Sequence, residues 1–250
     1  MSEKTELRDQ LLELIENSNY ITALTGAGIS TESGIPDYRT PGKGMWEKVD
    51  MNVVSMSGFL EDPSRYYNYS LDLYEIRSKA EPNPAHYMLA KLEEIGKLKG
   101  IVTQNVDSLH TRAGSVNVHE LHGSLRQVVC LECSSLSDMD SAMSRVMGGE
   151  NPPLCEQCGG VLKPNTVFFG EALPRIPWEE SVELIKKTDL LLTIGSSLQV
   201  SPANVLPDFA IKNGAQIVIM NQMPTPYDSD AKIVIRDKIG EFSEEFVKFL

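Results

Sequence analysis

All four cysteines of the chain fall in two Cys-x-x-Cys pairs: Cys130 and Cys133 in VVCLECSS, and Cys155 and Cys158 in LCEQCGG. A pair at this spacing brings two thiolates to one ion, and two pairs complete the tetrahedral sulfur shell that zinc prefers. Gly159 and Gly160 follow the second pair and permit the tight backbone of a metal knuckle. Redox thiols and isolated reduced cysteines are the competing readings. Four thiolates leave no open coordination position for water or substrate, so one structural Zn2+ is expected, not a catalytic one. Such a metal would staple residues 127–163, a module too small to hold a core unaided. Arg126, Arg145 and Lys163 are the few basic residues in and around it, which argues against the nucleic-acid binding that other zinc ribbons perform.

With the cysteines taken as a closed set, the four histidines are free for other work. His122 in HELHGSL precedes a glycine and comes shortly before Cys130. There it would face a cleft between a large domain and the metal module and act as a general base near neutral pH. His119 is expected to be an exposed neighbour. His86 is expected on a helix packed against a sheet, and His110 is expected to cap or pack. TQNVDSLH places Gln104, Asn105 and Asp107 after an apolar run. They would orient sugar hydroxyls, a water or a carboxamide, or else cap the next helix.

TGAGIS follows another apolar run, so its backbone amides are placed to approach a phosphate. The Gly-x-Gly-x-x-Gly fingerprint fails, because residue 31 is threonine. A turn that simply needs glycine is the alternative. In STESGIPDYR, Asp37 and Arg39 stand beside an X-Pro bond that resists helix. Arg39, always charged, would grip a diphosphate at two points or form a surface ion pair.

These residues need positioning elements. Leu7, Leu11, Leu14 and Ile15 recur at helical spacing, which predicts an amphipathic first helix. YITALTGAG, KGIVTQN (99–105), LLLTIGSS (190–197) and AQIVIMN (215–221) read as buried strands, with AKIVIRD (231–237) a further candidate. Helical patterns lie at roughly 84–95, 178–187 and 202–212, and in the C-terminal GEFSEEFVKFL. Strands alternating with helices predict an α/β fold with a parallel sheet covered on both faces, whose ligand lies beyond the carboxyl ends of its strands. Those ends carry Gly26–Ser30, Thr103–Asp107, Gly195–Leu198 and Asn221, a set of small and amide-bearing residues that suggests a nucleotide pocket. Residues 40–80 read as a loop followed by helix.

The formal net charge of −12 disfavours sequence-independent nucleic-acid binding and suits a cationic partner such as a lysine-bearing segment. No apolar run approaches the roughly 20 residues of a membrane span. MSEKTELRDQLLELIENS has no signal-peptide core, so the expected compartment is the reducing cytoplasm.

Taken together, GAGIS, GIPDYR, TQNVDSLH, ELHG, the paired Cys-x-x-Cys, PNTVFFGE, GSSL and MNQMPTP, in this order, resemble the sirtuins. These are NAD-dependent protein lysine deacylases, and the likeness is greatest to small bacterial members. The resemblance implies a Rossmann-like NAD-binding domain over 1–40, 81–126 and 164–250. A smaller domain would combine a helical insert (41–80) with the zinc-binding module (127–163). NAD would be a consumed co-substrate bound between the domains. Gly26, Ala27, Gly28, Ser30 and Thr31 would wrap its phosphates, with Arg39 nearby. Tyr38 takes a place usually held by phenylalanine, shielding the reactive sugar carbon. Gln104 and Asn105 would hold the nicotinamide ribose, and Val106 with Asp107 the carboxamide. Gly195, Ser196, Ser197, Asn221 and Gln222 would serve the adenosine half. His122 and Asn105 would be the catalytic pair.

The resemblance further implies that Val167, Phe168, Phe169, Gly170 and Glu171, with Val200, pair with the backbone of an acyl-lysine protein or peptide as strands do. The acyl group would pass to ADP-ribose with release of nicotinamide. The alternative is a mono-ADP-ribosyltransferase using the same NAD site. The family branch that removes succinyl and malonyl groups carries a Tyr-x-x-Arg pair, whose places here hold Ser70 and Leu73. Tyr74 and Arg77 have that spacing one helical turn later, which reads as coincidence, since a turn shifts side chains by about 5 Å. Acetyl and neutral acyl groups are the expectation.

Overall fold

The computed structural model describes residues 3–38, 40, 42, 44, 45 and 49–250. Its larger layer is a six-stranded sheet in the order β3-β2-β1-β7-β8-β9. The strands are β1 (Ile21–Thr25), β2 (Leu98–Thr103), β3 (Val118–Glu120), β7 (Leu190–Ile194), β8 (Gln216–Met220) and β9 (Ile233–Ile235). Every pairing in it is parallel. All residues of β1 and β7 are buried, as a sheet covered on both faces requires.

One face packs on α1 (Glu3–Asn17), α4 (Pro84–Glu94) and α9 (Ile239–Phe246) through Leu11, Ile15, Met88, Leu92, Phe242 and Phe246. The other packs on α7 (Arg175–Lys186) and α8 (Leu206–Lys212) through Ile185, Leu206 and Ala210. From β1 the chain proceeds outward through β2 and β3, then returns to the other side of β1 as β7. The strand order therefore reverses between β1 and β7, and the crevice for a ligand opens above their carboxyl ends.

A second sheet is antiparallel, in the order β5-β4-β6, made of β4 (Gly123–Cys130), β5 (Leu136–Asp138) and β6 (Leu162–Thr166). Its core is shared with α6 (Met139–Met147), α2 (Met56–Glu61) and α3 (Pro63–Lys79): Val128, Met143 and Leu162 meet Phe59, Tyr66, Tyr67 and Phe168. Tyr67 donates its hydroxyl to Leu162 O at 2.6 Å, tying α3 to β6. The insert and the cysteine-bearing segment thus build one hydrophobic unit. Strands β4 and β6 run across the 126/127 and 163/164 boundaries expected from the sequence.

One element and one residue on it differ from the sequence reading. Val118–Glu120 forms a short edge strand that no apolar run announces. On it His119 is not exposed: its side chain is 14% accessible, and Nδ1 lies 3.2 Å from Glu180 Oε2 on α7.

Candidate active site

The crevice begins where β1 and β7 end. Gly28 N–H donates to Gly195 O at 2.8 Å, and Gly26 N–H donates to Ile194 O at 3.1 Å. The two strand ends pass in backbone contact. A Cβ on Gly28 would lie 2.8 Å from Gly195 Cα and O, and one on Gly195, at φ +64, would lie 2.1 Å from Ile29 N. The glycines are needed for this approach, and the short 3-10 helix Ala27–Ser33 that follows lines the crevice at its start.

Beneath that loop lies a buried polar network. Asp107 Oδ2 accepts from Ser30 Oγ at 2.7 Å, while Oδ1 accepts from Leu109 N–H at 2.9 Å. One oxygen holds the glycine loop and the other holds the turn that leads into α5 (Leu109–Arg112). Asn105 Nδ2 donates to Gly26 O at 3.2 Å and to Ser30 Oγ at 3.3 Å, which ties β2 to the loop. Thr25 Oγ1 donates to Thr103 Oγ1 at 2.8 Å, so His110, 2.9 Å away, is the donor to Thr25 from Nε2. His86 accepts Asn83 N–H on Nδ1 at the start of α4 and stacks obliquely on His110, centroids 5.0 Å apart. Burial holds His86 below its ordinary range, against the pull of Asp107. Burial also lowers His110, to about 3, with His86 adding to the effect. Both rings are neutral structural parts, as the packing expectation has it.

His122 stands where the two sheets meet, between β3 and β4. The next residue, Gly123, has φ +73, and a Cβ there would lie 2.2 Å from Asn165 O, so only glycine lets β4 start against β6 at this point. The imidazole donates from Nδ1 to Gln104 O at 2.8 Å. That bond fixes the tautomer and leaves Nε2 with its lone pair. Burial lowers the pKa of His122, partly offset by the bond to Gln104. Lowering favours the neutral ring, the form that can take a proton.

The crevice is a cavity of about 530 Å³. Gly26, Ala27, Gly28, Tyr38, Gln104, Asn105, Val106, His122, Val167–Glu171, Gly195, Ser196, Ser197, Val200 and Asn221 all line it. Ser30 and Asp107 line a small adjoining hollow with Ala27, Tyr38, Asn105 and Val106. Gln104 Nε2 donates to Ser196 Oγ at 2.9 Å, closing the gap between β2 and β7. Thr31 and Gln222 are exposed and are not among the lining residues. Thr31 instead donates to Gly28 O at 2.9 Å. Arg39 lies outside the described residues.

One wall was read from the sequence only in part, through Ser70 and Leu73 at the places of the family's Tyr-x-x-Arg pair. Tyr66, Tyr69, Ser70, Leu73 and Arg77 of α3 line the cavity together with Met45, Val49 and Val54. Their spacing places them on one helical face, the signal that marks such a wall. Arg77 is the one lysine or arginine among the described lining residues. Tyr74 turns away, its hydroxyl donating to Asp140 Oδ1 at 2.9 Å on α6. Tyr74 and Arg77 do not converge.

The four cysteine Sγ atoms lie within 4.8 Å of one another. Cys130 and Cys158 are 3.4 Å apart, and Cys133 and Cys155 are 3.8 Å apart. A tetrahedral zinc with Zn–S bonds of about 2.3 Å sets its sulfurs roughly 3.8 Å apart, so the cluster fits that ion. No cysteine is among the residues lining the cavity.

A model of the Sir2 family matches residues 26–202. The chain is 42% identical to NAD-dependent protein deacetylase 2 of Caldanaerobacter subterraneus subsp. tengcongensis, over 90% of this chain and 89% of that one. It superposes on a Sir2 structure with a p53 peptide and NAD+ at a TM-score of 0.90, with 36% identity, covering 96% of this chain and 97% of that one. A Sir2 structure with 2'-O-acetyl-ADP-ribose and a deacetylated p53 peptide matches at a TM-score of 0.87 and 35% identity, covering 96% and 98%.

Proposed function

The chain belongs to the Sir2 family, and from that premise we propose that its cleft deacylates protein lysine side chains with NAD as co-substrate and His122 as general base. It is an NAD-dependent protein deacetylase. The observation that carries the residue assignment is the bond from His122 Nδ1 to Gln104 O, on a ring that lines the cavity.

NAD would lie across the carboxyl ends of β1, β2, β7 and β8. Gly26, Ala27 and Gly28 would present backbone to its phosphates, with Ser30, Thr31 and Arg39 alongside. Ser196, Ser197 and Asn221, with Gly195 and Gln222, would serve the adenosine half. Gln104 and Asn105 would hold the nicotinamide ribose, while Val106 and Asp107 would meet the carboxamide and Tyr38 would shield the reacting carbon. Val167–Glu171 and Val200 would pair with the backbone of the acyl-lysine substrate.

The acyl oxygen then attacks the ribose carbon as nicotinamide departs, a cation-like step that a fixed polar lining stabilises. His122 Nε2 takes the proton of a ribose hydroxyl, whose oxygen attacks the acyl carbon. Water completes release of the free lysine and O-acyl-ADP-ribose. The related structures with NAD+, with peptide and with acetyl-ADP-ribose support this sequence of events.

Zinc on Cys130, Cys133, Cys155 and Cys158 would hold the small antiparallel sheet together and take no part in the reaction. We assign residues 1–40, 81–122 and 167–250 to the NAD-binding domain and 41–80 with 123–166 to the smaller one, moving the boundaries expected from the sequence to the ends of β4 and β6. We place the enzyme in the cytoplasm, where thiols stay reduced and available to zinc. Among the described residues no helix is long and apolar enough to cross a membrane.

The test is to incubate an acetyl-lysine peptide with the chain and NAD, following nicotinamide and product masses together. Loss of the acetyl mass with formation of O-acetyl-ADP-ribose is expected. A peptide that gains ADP-ribose and keeps its acetyl group overturns the reading.

A further inference from the structure

Between β6 and α7 the chain folds around one ammonium group. The side chain of Lys163 is 5% exposed, a place where a cation persists only if its charge and donors are satisfied. Its Nζ lies 2.9 Å from Glu171 Oε2. It donates to Thr166 O at 2.7 Å and to Pro164 O at 3.2 Å, and lies 4.3 Å from the Phe168 ring centre. All of these partners belong to residues 164–171. The same Glu171 oxygen accepts the Phe168 N–H at 2.7 Å, so the carboxylate passes the position of Lys163 on to the backbone at Phe168.

The segment is also tied outward. Val167 N–H donates to His122 O at 2.9 Å. Phe169 donates to Val54 O at 3.0 Å and accepts from Met56 N–H at 2.9 Å. The Val167 carbonyl and both backbone polar groups of Gly170 carry no backbone hydrogen bond among the described residues, although both residues line the cavity. Lys163 does not line it. The groups left over for an added strand are therefore held in place by a cation that substrate does not meet.

We propose that Lys163 is a positioning residue for peptide recognition, acting through Glu171 to hold residues 166–171 in the course that receives the substrate backbone. The proposal rests on the reading that this segment pairs with substrate as a strand. It separates the two substrates of the reaction, because Gly26, Gln104, Asn105, Ser196 and Asn221, assigned to NAD, follow the strand ends of the large sheet, whereas the partners of Lys163 lie within residues 164–171. Replacing the ammonium by a neutral chain of similar length leaves Glu171 without its cation and Thr166 O without its donor, and the segment relaxes.

Steady-state kinetics on the full chain test this, with KM measured separately for acetyl-lysine peptide and for NAD. Lys163→Met and Glu171→Gln are each expected to raise peptide KM about tenfold. KM for NAD and kcat at saturating peptide should stay within about twofold. Lys163→Arg should restore peptide KM, and the double variant should be no worse than either single one. An unchanged peptide KM in Glu171→Gln, which keeps shape and volume, overturns the proposal even if Lys163→Met fails to fold. Equal rises in both KM values with a fall in kcat overturn it as well, in favour of a general structural role. A second arm uses the wild-type chain and a peptide N-methylated beside the acetyl-lysine. Undiminished affinity there removes the strand-pairing reading itself. Lost affinity there, with unshifted variants, removes only the role of Lys163.

Discussion

His122 donates from Nδ1 to the main-chain oxygen of Gln104 at 2.8 Å. A carbonyl only accepts, so the proton sits on Nδ1 and the basic lone pair on Nε2. Gln104 continues directly from β2, so the orientation of the ring is inherited from the rigid sheet, not from a loop. Burial lowers the pKa of this ring, and the base must be neutral to act. The acid limb of log kcat/KM should therefore fall below pH 6.5, the ordinary value for the side chain, and the rate should be flat from there through neutral pH. A pH profile with saturating NAD checks this. A limb above 6.5 would mean that the ring is stabilised as a cation, against the burial seen here.

The contact between Gly28 and Gly195 makes a second prediction. A methyl on Gly28 must displace backbone, not a yielding side chain. Gly28→Ala should cost about 1–3 kcal/mol of stability, read by urea denaturation, and should weaken NAD binding at the same time. Loss of NAD binding with undisturbed stability would show that the glycine serves the phosphates alone.

The cysteine cluster predicts a structural metal. Purified chain should hold one zinc per molecule, and a strong chelator should lower the Tm and abolish deacetylation, both recovered on adding zinc back. Cys155→Ser should release the metal, since Cys155 is a buried member of the set. Full activity of metal-free chain would contradict the stapling role.

The divergence of Tyr74 and Arg77 bears on acyl choice. With the Tyr74 hydroxyl on Asp140, the two residues cannot grip one carboxylate together. Tyr74→Phe should leave the ratio of succinyl- to acetyl-lysine kcat/KM within about twofold and cost no more than ~1.5 kcal/mol of stability, the worth of one hydrogen bond. A collapse of succinyl turnover alone would place the hydroxyl in the cleft.

Much of the large sheet was legible because its strands are apolar runs that end in small or polar residues, and those ends are where the cleft forms. β3 escaped because a half-buried edge strand of three residues, Val118–Glu120, has too little apolar sequence to stand out. His119 is partly buried where Glu180 reaches it from α7 across the fold, and local sequence does not contain that meeting. The same holds for Gly195, whose need for glycine comes from Ile29 in the 3-10 helix after β1. The α3 wall had a periodic signal, but its tyrosines also suit an ordinary core. Tyr66 and Tyr67 are both part of that core, and Tyr66 also reaches the cavity with Tyr69. The cysteine pairs were the most legible feature, since their spacing alone brings ligands together.

The central claim is that His122 is the base of acyl transfer from lysine to ADP-ribose. Product analysis of His122→Ala with acetyl-lysine peptide and NAD tests it most directly. Deacetylated peptide and O-acetyl-ADP-ribose should fall about 10²–10⁴-fold while NAD binding, measured by calorimetry, persists. Deacetylation at the wild-type rate in that variant would contradict the account.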